Sequence, residues 1–307
     1  MSLLVVGSVA FDSVETPFGK GDDVLGGSAS YFSASASFFT QVSLIAVVGE
    51  DFPENTLDFL KQRGVDLSGL QRSKGQTFRW KGRYGYQLNE AQTLETHLNV
   101  FQSFSPELSS AHRKVSHVFL GNIAPELQLR VLDQVESPRL IAADTMNFWI
   151  EGSRAALLKT LAKVQLLFVN DAEARALAGE HNLVKAARAI QKMGPARVAI
   201  KRGEYGALLF TEDHVFACPA FPLEDVFDPT GAGDSFAGGF VGHAARSKTL
   251  TPEALKQAMV LGSTMASFAV ERFSLDRMKS LSASEIATRY NDFKRLTTFS
   301  DLDISHS

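Results

Sequence analysis

A chain of 307 residues is long enough for one large α/β domain or two small ones, and it buries about three-quarters of its unfolded surface. Hydrophobic residues at 45%, charged residues at 21% and a net charge of -3 describe an ordinary globular protein with no basic footprint for DNA or RNA. The single cysteine, Cys218, excludes an intrachain disulfide, MSLLVVGSVAFD lacks the basic flank of a signal peptide, and no apolar run approaches the roughly 20 residues of a membrane span, so a cytoplasmic protein without a membrane partner is expected.

Short β-branched and leucine-rich runs alternate with helical stretches, the pattern of a mostly parallel sheet covered by helices on both faces. In chain order the runs predict a strand at Leu3 to Gly7, a helix at Ala29 to Phe39, a strand at Val42 to Val48 and a helix at Pro53 to Arg63. A strand at Val115 to Gly121, a helix at Pro125 to Val135, a strand at Leu140 to Asp144, a helix at Arg154 to Ala162 and a strand at Leu166 to Asn170 follow. Helices at Ala172 to Ala178 and Leu183 to Met193 precede strands at Arg197 to Lys201 and Ala207 to Thr211, and a strand-like stretch, His214 to Ala220, uses Cys218 as a small apolar residue. Helices at Ala232 to Ala245, Pro252 to Val270 and Ala283 to Leu296 lead into a polar tail, TTFSDLDISHS. Asp144 and Asn170 end strands, where ligands of open parallel sheets bind; loop capping explains either one equally well.

Thr77 to Asn89, TFRWKGRYGYQLN, departs from this alternation. Phe78, Trp80, Tyr84 and Tyr86 fall on even positions and Arg79, Lys81 and Arg83 on odd ones, which is strand periodicity with an aromatic and a basic face. Gly82 is expected to bend the segment into two short strands. So apolar a face must be covered by the main domain, a second subunit or a ligand, and a lid over a site is the favoured reading.

The strongest signal is Asp228 to Phe240, DPTGAGDSFAGGF, a glycine-rich turn running into an apolar helix. Such a turn aims unpaired amides at one point, and the helix dipole adds partial positive charge there. A dinucleotide turn would need glycine at Phe236, a position after the first strand, and no carboxylate beside a pyrophosphate; a P-loop would need GxxxxGK[ST], which the chain lacks. Phosphoryl transfer makes Asp234 useful, since it needs amide donors, from Gly231 to Gly233, and an acceptor for the attacking hydroxyl's proton. Helix capping is the alternative role for Asp234.

At these residues the sequence resembles the ribokinase-like, or PfkB, family of carbohydrate and nucleoside kinases, and the likeness runs through nearly the whole chain. The resemblance implies a three-layer α/β/α fold in a single domain over residues 1–307, with lid segments at about 12–25 and 76–100, and transfer of the γ-phosphate of ATP with Mg2+. It implies that Asp234 is the base and that Gly231, Ala232 and Gly233 form the anion hole. Asn170 to Glu173, NDAE, matches the family's NxxE motif and implicates Asn170 and Glu173 in holding the metal with its waters. IKRGEYGA implicates Lys201, Gly203 and Gly206 in nucleotide binding together with Thr230, and Asp228 and Thr230 resemble positions that bind K+ in some members. On the acceptor side the resemblance points to Asp12, to Gly26 and Gly27, to Ser28, and to Tyr31 where the family usually carries asparagine, with Phe78 and Trp80 from the lid. The expected acceptor is a sugar or sugar-containing molecule. A nucleoside whose base stacks on the lid aromatics and a catalytically idle sugar or nucleotide sensor are the alternatives, with a monomer or a homodimer through the lid as the assembly.

Overall fold

The computed structural model describes residues 2–247 and 249–302, so residues 303–307 of the polar tail lie outside the described residues. The chain opens with β1 (Ser2–Val6), leaves the main sheet for β2 (Ala10–Thr16) and β3 (Gly19–Gly26), and returns through α1 (Ser28–Ala36), β4 (Gln41–Gly49), α2 (Asp58–Gln62) and β5 (Asp66–Ser73). A second excursion supplies β6 (Phe78–Tyr84) and β7 (Ala91–His97), after which α3 (Ser110–Arg113) leads to β8 (His117–Leu120). Strands and helices then alternate through α4 (Pro125–Leu132), β9 (Leu140–Asp144), α5 (Asn147–Gly152), α6 (Arg154–Leu161), β10 (Leu166–Asn170), α7 (Asp171–Ala178), α8 (Leu183–Gln191) and β11 (Arg197–Lys201). The hairpin β12 (Ala207–Phe210) and β13 (Val215–Cys218) precedes α9 (Ala232–Ala244), α10 (Pro252–Ala269), α11 (Asp276–Ser280) and α12 (Ala283–Thr297).

The main sheet has nine strands in the order β13-β12-β11-β10-β9-β8-β1-β4-β5, parallel from β5 to β11 and antiparallel through the last hairpin. Alternate residues feed opposite cores: Leu3 and Val5 pack with α1, α9, α10 and α12, while Leu4 and Val6 pack with α4, α6, α7 and α8. Burial on both faces is why these strands read as unbroken apolar runs. The layers are therefore helix, sheet, helix, as the fold class read from the sequence requires.

A second sheet, order β3-β2-β6-β7, is the lid. Register places Asp12 opposite Trp80 and Val14 opposite Gly82, so Ala10, Asp12 and Val14 share the inner face with the even residues of β6. The odd residues face outward in ion pairs: Arg79 with Asp23 and Asp51, Lys81 with Glu95, and Arg83 with Glu15.

Several local expectations are corrected. Gly82 does not divide the segment into two strands; β6 continues through it with a register shift against its hairpin partner β7 between Lys81 and Gly82. The Trp80 indole lies over Gly82 so closely that a Cβ there would fall 2.2 Å from the ring, so the glycine makes room for an aromatic. The helix expected from Pro53 contracts to Asp58–Gln62 after a run of turns. β5 went unread because DLSGLQRS lacks alternation, being an edge strand of mixed burial.

Candidate active site

Helix α9 is held centrally because its glycines let neighbours touch its backbone: a Cβ at Gly238 would lie 2.5 Å from Phe32 O, and one at Gly239 would lie 2.8 Å from Leu261 O. Its N-cap, Gly231, has φ +73°, a left-handed conformation that glycine adopts freely. Ahead of it Asp228, buried, ties the loop: Oδ1 accepts from the Thr230 amide at 2.9 Å and Oδ2 from the Ser274 amide at 3.0 Å. Among the described residues the Gly233 amide finds no main-chain carbonyl, the usual state of a first helical turn, while the Asp234 amide bonds its own carboxyl and the Ala232 amide donates to Pro229 O at 3.2 Å. Asp234 stands in that turn. Burial pushes its carboxyl up to about 7, the charge of Asp144 adds to the shift and Lys201 opposes it.

Lys201 ends β11 beside Asn170 of β10 in register. Its Nζ donates to Asp144 Oδ2 at 2.7 Å, and a Cβ at Gly233 would fall 2.9 Å from it. Asn170 and Glu173 form a capping box at the start of α7: Asn170 Oδ1 accepts from the Glu173 amide and Glu173 Oε2 from the Asn170 amide, each at 2.7 Å. Burial raises the Glu173 carboxyl to about 7, with Lys201 opposing and Asp144 adding. Among the described residues no cluster of His, Cys, Asp and Glu forms a metal cage by itself. One carboxylate and one amide suit Mg2+, which keeps several waters and takes its remaining oxygens from phosphates, so the donor set fits a nucleotide-bound ion.

Around the acceptor position, Asp12 is buried over Gly26, where a Cβ would lie 1.9 Å from Oδ2. Burial raises its carboxyl to about 7; the Gly27 amide opposes the shift, and Asp228 and Asp234 add to it. Gly27, at φ +91°, leaves no room for a side chain, since a Cβ would meet Ser8 O at 2.5 Å. Tyr31 is 1% exposed, its ring lies against Gly231 at 2.3 Å from a hypothetical Cβ, and its hydroxyl has no partner among the described residues. Burial, then the charges of Asp228 and Asp12, hold its phenol well above the ordinary range. Trp80 is half-buried and donates from Nε1 to Thr93 Oγ1 at 3.2 Å.

Other candidates make local contacts of their own. Ser28 Oγ accepts from the Ser8 amide at 3.2 Å and meets Ser8 Oγ at 3.3 Å, so its hydroxyl joins the end of β1 to α1. Phe78 stacks on Phe101 with centroids 5.6 Å apart and belongs to the packing beneath the lid. Gly206, at φ +80°, serves the β11–β12 turn, where a Cβ would meet Cys218 O at 2.1 Å. Gly203, at φ +55°, lies under Asn89 of the β6–β7 turn, 1.7 Å from a hypothetical Cβ. Two lid contacts went unread from sequence: Thr230 Oγ1 donates to Tyr84 Oη at 3.3 Å, and Asn89 rests on Gly203. Asp144 was legible only as a polar strand end, because its pairing with Lys201 crosses strands.

A family model described as pfkB family carbohydrate kinase matches residues 17–280. A cytidine kinase of Thermococcus kodakarensis is 30% identical over 259 residues, 81% of this chain and 91% of the relative. The fold matches the crystal structure of the nucleoside kinase of Methanocaldococcus jannaschii, an archaeal member of the ribokinase family, with TM-score 0.75 at 19% identity over 95% of this chain and 98% of that one. It also matches a putative ribokinase II from E. coli solved with ATP and Mg2+, with TM-score 0.76 at 18% identity over 95% and 99% of the two chains. No helix among the described residues is long and apolar enough to cross a membrane. With an amide-lined helix mouth, a carboxylate in its first turn and a lid above it, the chain belongs to the pfkB family of carbohydrate kinases, phosphotransferases whose acceptor is a hydroxyl group of a sugar-containing small molecule.

Proposed function

We propose that this kinase phosphorylates a nucleoside, moving the γ-phosphate of ATP to a hydroxyl of the ribosyl group. The observation that carries the reading is Trp80, an aromatic held flat over Gly82 on the inner face of the lid, directly across the register from Asp12. A base stacked there would leave its sugar over Asp12, Gly26 and Gly27, between Tyr31 and the mouth of α9. Similarity to a cytidine kinase supports the same class.

In this reading Asp12 accepts hydrogen bonds from sugar hydroxyls, and Asp234 takes the proton of the attacking hydroxyl as its oxygen bonds phosphorus and ADP departs. The amides from Gly231 through Gly233 receive charge spreading over the transferring group. Asn170 and Glu173 would hold Mg2+, and the ion would supply positive charge against the phosphates. Thr230, Lys201, Gly203 and Gly206 border the nucleotide, and the lid contacts at Thr230 and Gly203 exclude water that would compete as acceptor. K+ activation would act through the loop that Asp228 fixes, and replacing K+ by Na+ in the assay tests it. The ion-paired outer face of the lid favours closure within one subunit, in a cytoplasmic enzyme.

Turnover of ATP against a panel of nucleosides and free sugars tests the class. The reading expects cytidine or another nucleoside to exceed free ribose by at least about tenfold in kcat/KM, the contribution of a stacked base. A free monosaccharide preferred over every nucleoside would overturn it.

A further inference from the structure

The buried ion pair Lys201–Asp144 is costly to build and stands where the fold does not require it. Its side chains are 18% and 5% exposed, and a desolvated pair of this kind contributes little net stability over apolar residues of similar size. Asp144 is nevertheless carefully held. Its Oδ1 accepts from the Thr145 amide at 2.8 Å, and its carbonyl accepts from Gln128 Nε2 at 3.1 Å, a side chain that also binds Gly121 O at 2.9 Å. The clamp fixes Nζ beside Gly233, whose own amide has no carbonyl partner among the described residues.

From this arrangement we infer that the Lys201 ammonium is a catalytic residue that touches the transferring phosphoryl group, and that Asp144 is the positioning residue that aims it. An ammonium has three N–H donors, of which Asp144 takes one, leaving two for phosphate oxygens. Nζ lies beside Gly233 at the helix mouth, within the field of Glu173 and Asp234 as well as Asp144, so one fixed cation serves base, metal-side carboxylate and phosphate. During transfer the bond from the β,γ-bridging oxygen to phosphorus breaks, the acceptor oxygen bonds phosphorus, its proton goes to Asp234, and Lys201 keeps its own protons throughout. A full charge already oriented needs no reorganisation as the transition state forms, so its effect falls on kcat. This inference rests on the phosphotransferase reading of the α9 mouth.

The test compares Lys201→Met, Lys201→Arg, Lys201→Ala and Asp144→Asn in the full chain. Lys201→Met is expected to lower kcat by about 100- to 1000-fold while ADP affinity changes by less than about threefold. Lys201→Arg fails to restore rate, because a planar fork does not fit beside Gly233. Ethylammonium added to Lys201→Ala recovers turnover saturably. Asp144→Asn lowers kcat by about tenfold with unchanged ADP affinity. Since Lys201→Met strands a buried carboxylate, the double variant Lys201→Met/Asp144→Asn, neutral at both positions, is measured beside it and should show the same kcat loss. ADP affinity falling as far as kcat, or a lowered Tm with kcat intact, overturns the inference while an active wild-type enzyme preserves the functional reading. Wild-type protein that transfers phosphate to no nucleoside or sugar removes both.

Discussion

The two sides of the site are built differently. On the phosphate side the charged groups are already paired: Lys201 with Asp144, Glu173 with the Asn170 amide, and Asp228 with Thr230 and Ser274. The unpartnered polar atoms there among the described residues, Thr145 Oγ1, Ser235 Oγ and Gln128 Oε1, are uncharged. On the acceptor side the Tyr31 hydroxyl is buried without a partner among the described residues and Trp80 stands half-buried on the second sheet. A buried unpaired hydroxyl costs about 1–3 kcal/mol, which protein structures tolerate chiefly where a ligand or water completes the bond. The contrast teaches that the charges around the α9 mouth are held by the protein itself, whereas the Tyr31 hydroxyl beside Gly231 is left for a ligand in the proposed reading.

Breaking the phosphate side should be costliest. Asp234→Asn keeps the shape of the helix mouth but cannot take a proton, so turnover is expected to fall at least about a hundredfold with ATP affinity nearly unchanged. Steady-state rates with nucleotide binding by calorimetry check this. Trp80→Ala, which removes the platform, is expected to raise KM for the nucleoside about tenfold and leave KM for ATP alone. Size-exclusion chromatography of the same variant should show an unaltered oligomer; a lost dimer would reassign the ring to a subunit contact.

Smaller effects sharpen the contrast. Tyr31→Phe should weaken binding of the hydroxylated acceptor about five- to tenfold but bind the analogue lacking one sugar hydroxyl as wild type does, without lowering Tm, since the hydroxyl it removes is unpartnered. Calorimetry with nucleosides and their deoxy analogues reads the difference. Smallest is a stability effect. The Asp12 and Asp234 carboxyls, at about 7, lie above the ordinary 3.8, so the unfolded chain sheds these protons first and stability declines as pH rises from the lower value through the higher. Asp234→Asn, neutral throughout, should gain Tm over wild type in thermal melts, with the gap widening from about pH 4 and levelling off above about pH 7.

The main sheet was legible because strands such as LLFVN are buried on both faces and carry no competing period. The first lid pair, AFDSVET and GKGDDVLG, was legible only through family likeness: its buried positions are interleaved with charged ones, and β2 finds its parallel partner β6 far along the chain. Gly82 marks an irregularity against β7 rather than a break into two strands, and no local rule reveals the indole that packs on it. Within the candidate site, the turn into α9 was readable because the groups it positions are consecutive in the chain. Lys201 with Asp144, and Tyr31 against Gly231, depend on register across strands and on packing between helices, which no local pattern encodes.

The central claim is that the reacting hydroxyl lies between two buried carboxylates, Asp12 to orient it and Asp234 to accept its proton. The pH profile of kcat/KM for the nucleoside tests this most directly, since both carboxylates, raised to about 7, must be ionised to work. The account predicts a rate rising toward a plateau above about pH 7, falling below it with a slope approaching two protons in the wild type and one in Asp12→Asn. A profile that stays level from about pH 5.5 to about pH 8.5 would contradict it.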